Sequence, residues 1–260
     1  MIATIRISIV FWVLAVSAIL IAGQGWQRGR AFRGMMLQQW QPSLILALLY
    51  MVSAVLGGTG VFPFYSIAIF CQALIGLGLA SEIEGYDPLP VTQALTQRRA
   101  WSEALALLLP GTLGIMLAAL VVNGFLVSLL LQLFGESMNS PQGVAAFFPP
   151  NAFRSFLLML AGAGLFEETL FRLVCLSLFW RLTGRPWTAI LVSALLFGAY
   201  HLSPLDSAYL QYWERPLTIF SLSTIMGIVM GYAYRRYGYE TAVLGHTLGN
   251  WVALWLSRAG

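Results

Sequence analysis

Lysine is absent from this chain. All fourteen basic side chains are arginine, and with ten acidic residues they bring the charged fraction to only 9% of 260 residues. Soluble domains typically carry about 25% charged residues, so there is too little charge here to solvate the surface of a globular fold. The formal charge of +4 is spread over short loops rather than gathered on one face, which argues against a nucleic-acid partner. Cysteine is scarce as well. Cys71 and Cys175 both lie in apolar segments, so no disulfide framework is expected and both read as packing residues. No internal repeat, low-complexity tract or self-sufficient soluble domain is visible.

What is present is apolar sequence, 59% of the chain. Several runs approach or exceed the roughly 20 residues that carry a helix across a bilayer. Eight segments can be drawn: 5–23, 42–58, 61–80, 103–133, 153–180, 186–201, 217–234 and 240–257. The expected fold is all-α, a polytopic transmembrane helical bundle of about eight spans forming a single membrane domain over 1–260. The first run is too long for a secretory signal core and lacks an A-x-A site, so it reads as a retained span. Pro110 within the fourth segment predicts a tilt, a kink or a re-entrant turn there. Gly57-Gly58-Thr59-Gly60 links spans two and three tightly, and Pro141, Pro149 and Pro150 mark the loop before span five.

Arginine placement gives an orientation. On eight spans, nine arginines (28, 30, 33, 98, 99, 181, 185, 235 and 236) fall on one side and four (6, 154, 215 and 258) on the other. Arginine-rich loops are the cytoplasmic ones, so both termini are expected outside. In a prokaryote the host bilayer would be the plasma (inner) membrane.

Arg172 belongs to neither side. It sits within "AGAGLFEETLFRLVCLSLFW", residues 161–180, together with Glu167 and Glu168. Glu167 is roughly 20 Å from either end of the fifth segment, near mid-membrane, where each charge costs at least about 2.5–3.5 kcal/mol. Such residues are functional by default. Glu168 and Arg172 are spaced i,i+4 and can form an ion pair, leaving Glu167, about 100° away, free to face a cavity. The small residues just upstream allow another helix to approach closely.

The only two histidines lie downstream, again in apolar helices. His201 ends the sixth segment in "FGAYHLSP", with Phe197 one turn earlier on its face; His246 lies in "GHTLGN", with Asn250 one turn later. Gly245 and Gly249 form a small-xxx-small ridge suited to close helix contact. A site in the cytoplasmic half of the bilayer can gather Glu167, His201, His246 and Asn250.

These residues resemble a known family. "EETLFR" fits an EExxxR pattern, "FGAYH" fits FxxxH, and "HTLGN" fits HxxxN. In this order, on separate apolar spans, they resemble the CAAX protease and bacteriocin-processing family of intramembrane proteases, which includes the Rce1-type prenyl-protein endopeptidases. The resemblance divides the chain into a catalytic core over 151–257 and variable amino-terminal spans over 1–150. It implies that Glu167 and His201 activate a water, that His246 and Asn250 stabilise the oxyanion, and that Glu168, Arg172 and Phe197 support the site. No cofactor is favoured. A zinc ion on Glu167, His201 and His246 is the mechanistic rival, weakened by the absence of an H-E-x-x-H helix. The implied partner is a membrane-associated peptide or protein, lipid-modified in the CAAX case. Two rivals come from other classes: a proton-coupled transporter, for which no repeat of the acid pair exists, and a non-catalytic immunity or accessory protein.

Overall fold

The computed structural model describes residues 33–58, 63–98, 100–137, 148–203, 206 and 209–259; among them every regular element is helical. Seven of the eight expected segments become helices, and the first, 5–23, lies outside the described residues. In chain order they are α1 (Trp40–Gly57), α2 (Pro63–Ser81), a short α3 (Pro90–Thr96), α4 (Trp101–Phe134), α5 (152–183), α6 (Pro186–His201), a single turn α7 (Tyr209–Tyr212), α8 (Pro216–Tyr237) and α9 (Tyr239–Ala259). Of these, α1, α4 and α8 are long and apolar enough to cross a membrane, and two shorter apolar helices, Tyr65–Ser81 and α6, accompany them. With the arginine pattern and the 59% apolar composition, this defines an integral membrane protein.

The side chains are sorted as lipid requires. In α4 the buried positions are Ala104, Gly111, Thr112, Ile115 and Ala119, whereas Leu105, Leu109, Leu113, Leu117 and Val121 are exposed. Small residues inside and large apolar residues outside reverse the soluble arrangement, because leucine gains nothing by leaving hydrocarbon while small residues let helix backbones approach. The same inversion holds in α1, where Ser43, Ala47, Ser53 and Ala54 face inward and Ile45, Leu48 and Val52 face out.

Pro110 neither breaks α4 nor makes it re-entrant; the helix runs on through it. The irregularity comes later, as a wide i→i+5 turn over Val122–Leu126, where the Asn123 side chain donates to the Ala119 carbonyl at 2.8 Å. α5 is stranger. It starts as an ordinary α-helix over Ala152–Met159, capped by the Asn151 side chain, and widens over Leu160–Glu167 and again over Thr169–Leu176. It then tightens again over Ser177–Thr183.

Four helices close around α5. α2 and α6 pack on its later turns, α1 and α9 on its earlier ones, α6 pairs extensively with α8, and α9 pairs extensively with α4. Glycine sets the spacing. A Cβ on Gly164 of α5 would strike Thr247 of α9, and one on Gly245 or Gly249 would meet Ile115 or Ala119 of α4. The Gly245/Gly249 ridge therefore faces α4, while His246 turns to the other side, toward α5.

Candidate active site

Each wide turn shifts the helix register, so its carbonyls become open to partners beyond the helix's own N–H groups. Hydroxyl groups supply those partners. Ser193 of α6 donates to the Phe171 carbonyl at 2.6 Å. Thr169 donates to the Leu165 carbonyl at 2.5 Å, and the Tyr239 hydroxyl lies 2.6 Å from the same Thr169 oxygen. One threonine proton cannot serve both, so Tyr239 donates to Thr169. Ser177 and Tyr234 pair at 2.7 Å, and Tyr86 donates to the Tyr234 carbonyl at 2.7 Å. These bonds hold α5 in its widened form from α6, α8 and α9 at once. Wide turns of this kind recur at functional sites because they re-aim side chains that a regular helix would fix elsewhere.

Glu167 and Glu168 sit at the junction of the two widened stretches. Glu168 and Arg172 are both fully buried, with Oε2 and Nε 2.9 Å apart as the i,i+4 spacing predicts. The guanidinium carbon lies 4.7 Å from the centroid of the Phe197 ring. Arg172 Nη1 and Nη2 have no hydrogen-bond partner among the described residues, so its charge is met by one carboxylate and one aromatic face.

The second carboxylate oxygen of Glu168 has another task. Its Oε1 lies 2.8 Å from His246 Nδ1. With the carboxylate oxygen as acceptor, Nδ1 carries the hydrogen and the ring's other nitrogen is turned away from Glu168. That nitrogen, Nε2, lies 3.9 Å from Glu167 Oε2. Glu168 is thus more than half of a structural ion pair: it orients one of the two imidazoles. The sequence pattern did not foretell this, because the link joins residues 78 positions apart.

His201 is oriented differently. Its Nδ1 lies 2.9 Å from the Phe197 carbonyl, which can only accept, so Nδ1 is again protonated and Nε2 faces the site. Phe197 is the hub between the two rings. It meets His201 edge-on at 4.6 Å and His246 at 5.8 Å, and stacks edge-on with Phe171 at 5.1 Å. Among the described residues, then, Glu167, His201, His246, Glu168, Arg172 and Phe197 converge. Glu167 itself is largely buried, with 15% of its side chain exposed. Asn250 lies half-buried one turn beyond His246.

One residue went unread in the sequence. Asp206, five positions after His201 in "HLSPLDSAY", is buried, and its Oδ2 lies 3.9 Å from His201 Nε2. Its signal was faint: a lone acid beyond a proline, in what reads as a loop. Ligand atoms of Glu167, His201 and Asp206 all lie within 4.8 Å of one another, an arrangement able to hold a divalent ion. That set differs from the expected Glu167, His201 and His246, because His246 stands on the far side of Glu167 with its Nδ1 engaged by Glu168. Carboxylate and imidazole donors suit zinc, and the His201 tautomer leaves the correct nitrogen available.

The molecule is therefore a helical membrane protein with an acid–imidazole centre enclosed by its helices. Residues 149–252 match the family model described as Type II CAAX prenyl endopeptidase Rce1-like, a family of proteases, and every motif residue named above falls inside that stretch. The match supports, over these residues, the resemblance to the Rce1-type branch of the CAAX protease and bacteriocin-processing family. No curated protein and no solved structure is similar enough to count as a match.

Proposed function

We propose that this protein is an intramembrane endopeptidase that hydrolyses a peptide bond of a membrane-associated substrate, using a water activated by Glu167 without a metal. The observation that carries the reading is the convergence of Glu167, His201 and His246. With Glu167 Oε2 3.9 Å from His246 Nε2, and ligand atoms of Glu167 and His201 within 4.8 Å of each other, the groups are close enough to share a water. Glu167 takes a proton from that water as its oxygen attacks the carbonyl carbon, and returns it to the leaving nitrogen as the C–N bond breaks. His201 stands with Glu167 beside the water, and His246, in its imidazolium form, is a donor to the charge that develops on the carbonyl oxygen. Asn250, which does not titrate, adds a donor from the next turn of α9; such donors typically contribute about 10²–10³ in rate.

The family match supports a substrate with a lipid-modified, CAAX-like tail. So does the physics, because a site enclosed by apolar helices is more readily reached from the bilayer than from water. The test uses an internally quenched peptide ending in a farnesylated cysteine and three further residues, presented to the protein in proteoliposomes. Glu167→Gln preserves shape and removes the base, and kcat is expected to fall by about 10²–10⁴. Wild-type turnover by the Gln variant would sink the mechanism.

A second reading rests on the Glu167, His201 and Asp206 cluster. If zinc is bound these three residues would hold it, and it would supply Lewis-acid activation of the water. Activity that survives exhaustive dialysis against a chelator separates the two readings in favour of the first.

A further inference from the structure

The attacking water carries two hydrogens, and Glu167 has use for one. The other stays on oxygen through the tetrahedral intermediate, inside a pocket where an unaccepted O–H costs about 1–3 kcal/mol. Something has to receive it. Phe197 is apolar, and the His246 ring is fixed by Glu168 with its free nitrogen toward Glu167. His201 offers a single nitrogen to the gap, because its Nδ1 is committed to the Phe197 carbonyl. Asp206 presents a buried carboxylate oxygen 3.9 Å from that nitrogen.

Resting on the protease reading above, we propose that Asp206 is a further catalytic residue, which accepts the second O–H of the nucleophilic water while Glu167 abstracts the first. Both hydrogens are then fixed, so a lone pair of the water oxygen is aimed at the scissile carbonyl, and His201 Nε2, an acceptor 3.9 Å from the Asp206 oxygen, shares the hydrogen that Asp206 holds. The spacing fits. Ligand atoms of Glu167, His201 and Asp206 lie within 4.8 Å of one another, near enough for one water to reach each. The chain around Asp206 is tied to the site independently of this carboxylate: its N–H donates to the Ser203 carbonyl at 3.1 Å, the Trp213 indole donates to the Leu202 carbonyl at 2.8 Å, and the Tyr212 ring lies 5.8 Å from His201. Proton bookkeeping balances without Asp206 changing state: one proton leaves water for Glu167 and passes to the amine nitrogen, while the second remains on the product acid.

The test is Asp206→Asn in the full-length protein in proteoliposomes, with the farnesylated quenched peptide, run beside wild type and Glu167→Gln. The amide keeps the shape and loses the strong acceptor, so kcat should fall about 10²-fold with KM changed less than about twofold. Because substitution here can disturb the fold, Asp206→Gly is assayed with and without formate. A several-fold recovery by formate, which restores a carboxylate to the gap, supports the assignment, and a merely structural residue would not respond. Unchanged kcat in Asp206→Asn, or a raised KM at constant kcat, overturns it while leaving the protease reading intact. Wild-type activity that is lost to a chelator and restored by zinc also overturns it, giving the same three residues to a metal. A wild type that cleaves no such peptide removes the protease reading, and this inference with it.

Discussion

The two halves of this membrane bundle bury different things. In α1, α2 and α4 the buried polar residues are neutral: Ser43, Ser53, Gln72 and Thr112. Around α5, α6 and α9 the buried set includes Glu168, Arg172, Asp206 and His246, with Glu167 and His201 at its edge. Both halves use small residues to bring helices together, as at Gly57 against Leu158, Gly76 against Leu173 and Gly164 against Thr247. The difference is therefore not in how the helices pack but in what the packing encloses. A helix pair can be built without a single charge, so charges retained at roughly 3 kcal/mol each in lipid mark where the chemistry is. The family match, confined to 149–252, falls on the half that holds them.

This contrast can be broken most forcefully at Arg172. Replacing it with Met leaves Glu168 buried beside only the His246 N–H, and unfolding free energy measured by detergent-denaturant titration should fall by about 3–5 kcal/mol. If the variant is as stable as wild type, the ion pair is no structural necessity and the halves differ less than the burial pattern implies. A smaller effect is expected at Gly164. Gly164→Val pushes α9 from α5 at Thr247 and should cost about 1–3 kcal/mol. It should also lower kcat, because His246 moves with α9; a stability loss with unchanged kcat would show that the site tolerates displacement of that helix.

The smallest effect lies outside the membrane, at Glu136 in the loop after α4. Its carboxylate accepts from the N–H groups of Leu217 and Thr218 at 3.0 and 2.9 Å, capping the start of α8. Burial pushes its pKa up, but these N–H groups and the Arg215 charge outweigh burial and hold it below the ordinary carboxylate value of 4.5. A depressed folded-state pKa means that the cap's contribution is present at neutral pH and is lost as pH falls through that lowered value. Glu136→Gln should cost about 1 kcal/mol in thermal unfolding at pH 7 and almost nothing at pH 3. An equal loss at both pH values would mean that the charge plays no part.

Much of this was legible in the residues alone. Apolar runs located seven described helices to within a few positions, because hydropathy and length are properties of contiguous sequence. The i,i+4 spacing announced the Glu168–Arg172 pair for the same reason. Asp206 was overlooked and Glu168 was underread, because their partners come from other helices. α4 continues through Pro110 rather than turning back there, and its wide turn lies at Val122–Leu126, where no proline announces it.

The sequence by itself determined that the chain is a helical membrane protein, which segments form its helices, and that ionisable groups are concentrated in its latter part. Those outcomes follow from composition and local periodicity. Tertiary structure alone decided that Glu168 turns His246, that Phe197 separates the two imidazoles, and that Asp206 closes the triangle with Glu167 and His201. Bond direction and a gap the width of one water depend on how helices far apart in the chain cross, and no local pattern encodes that.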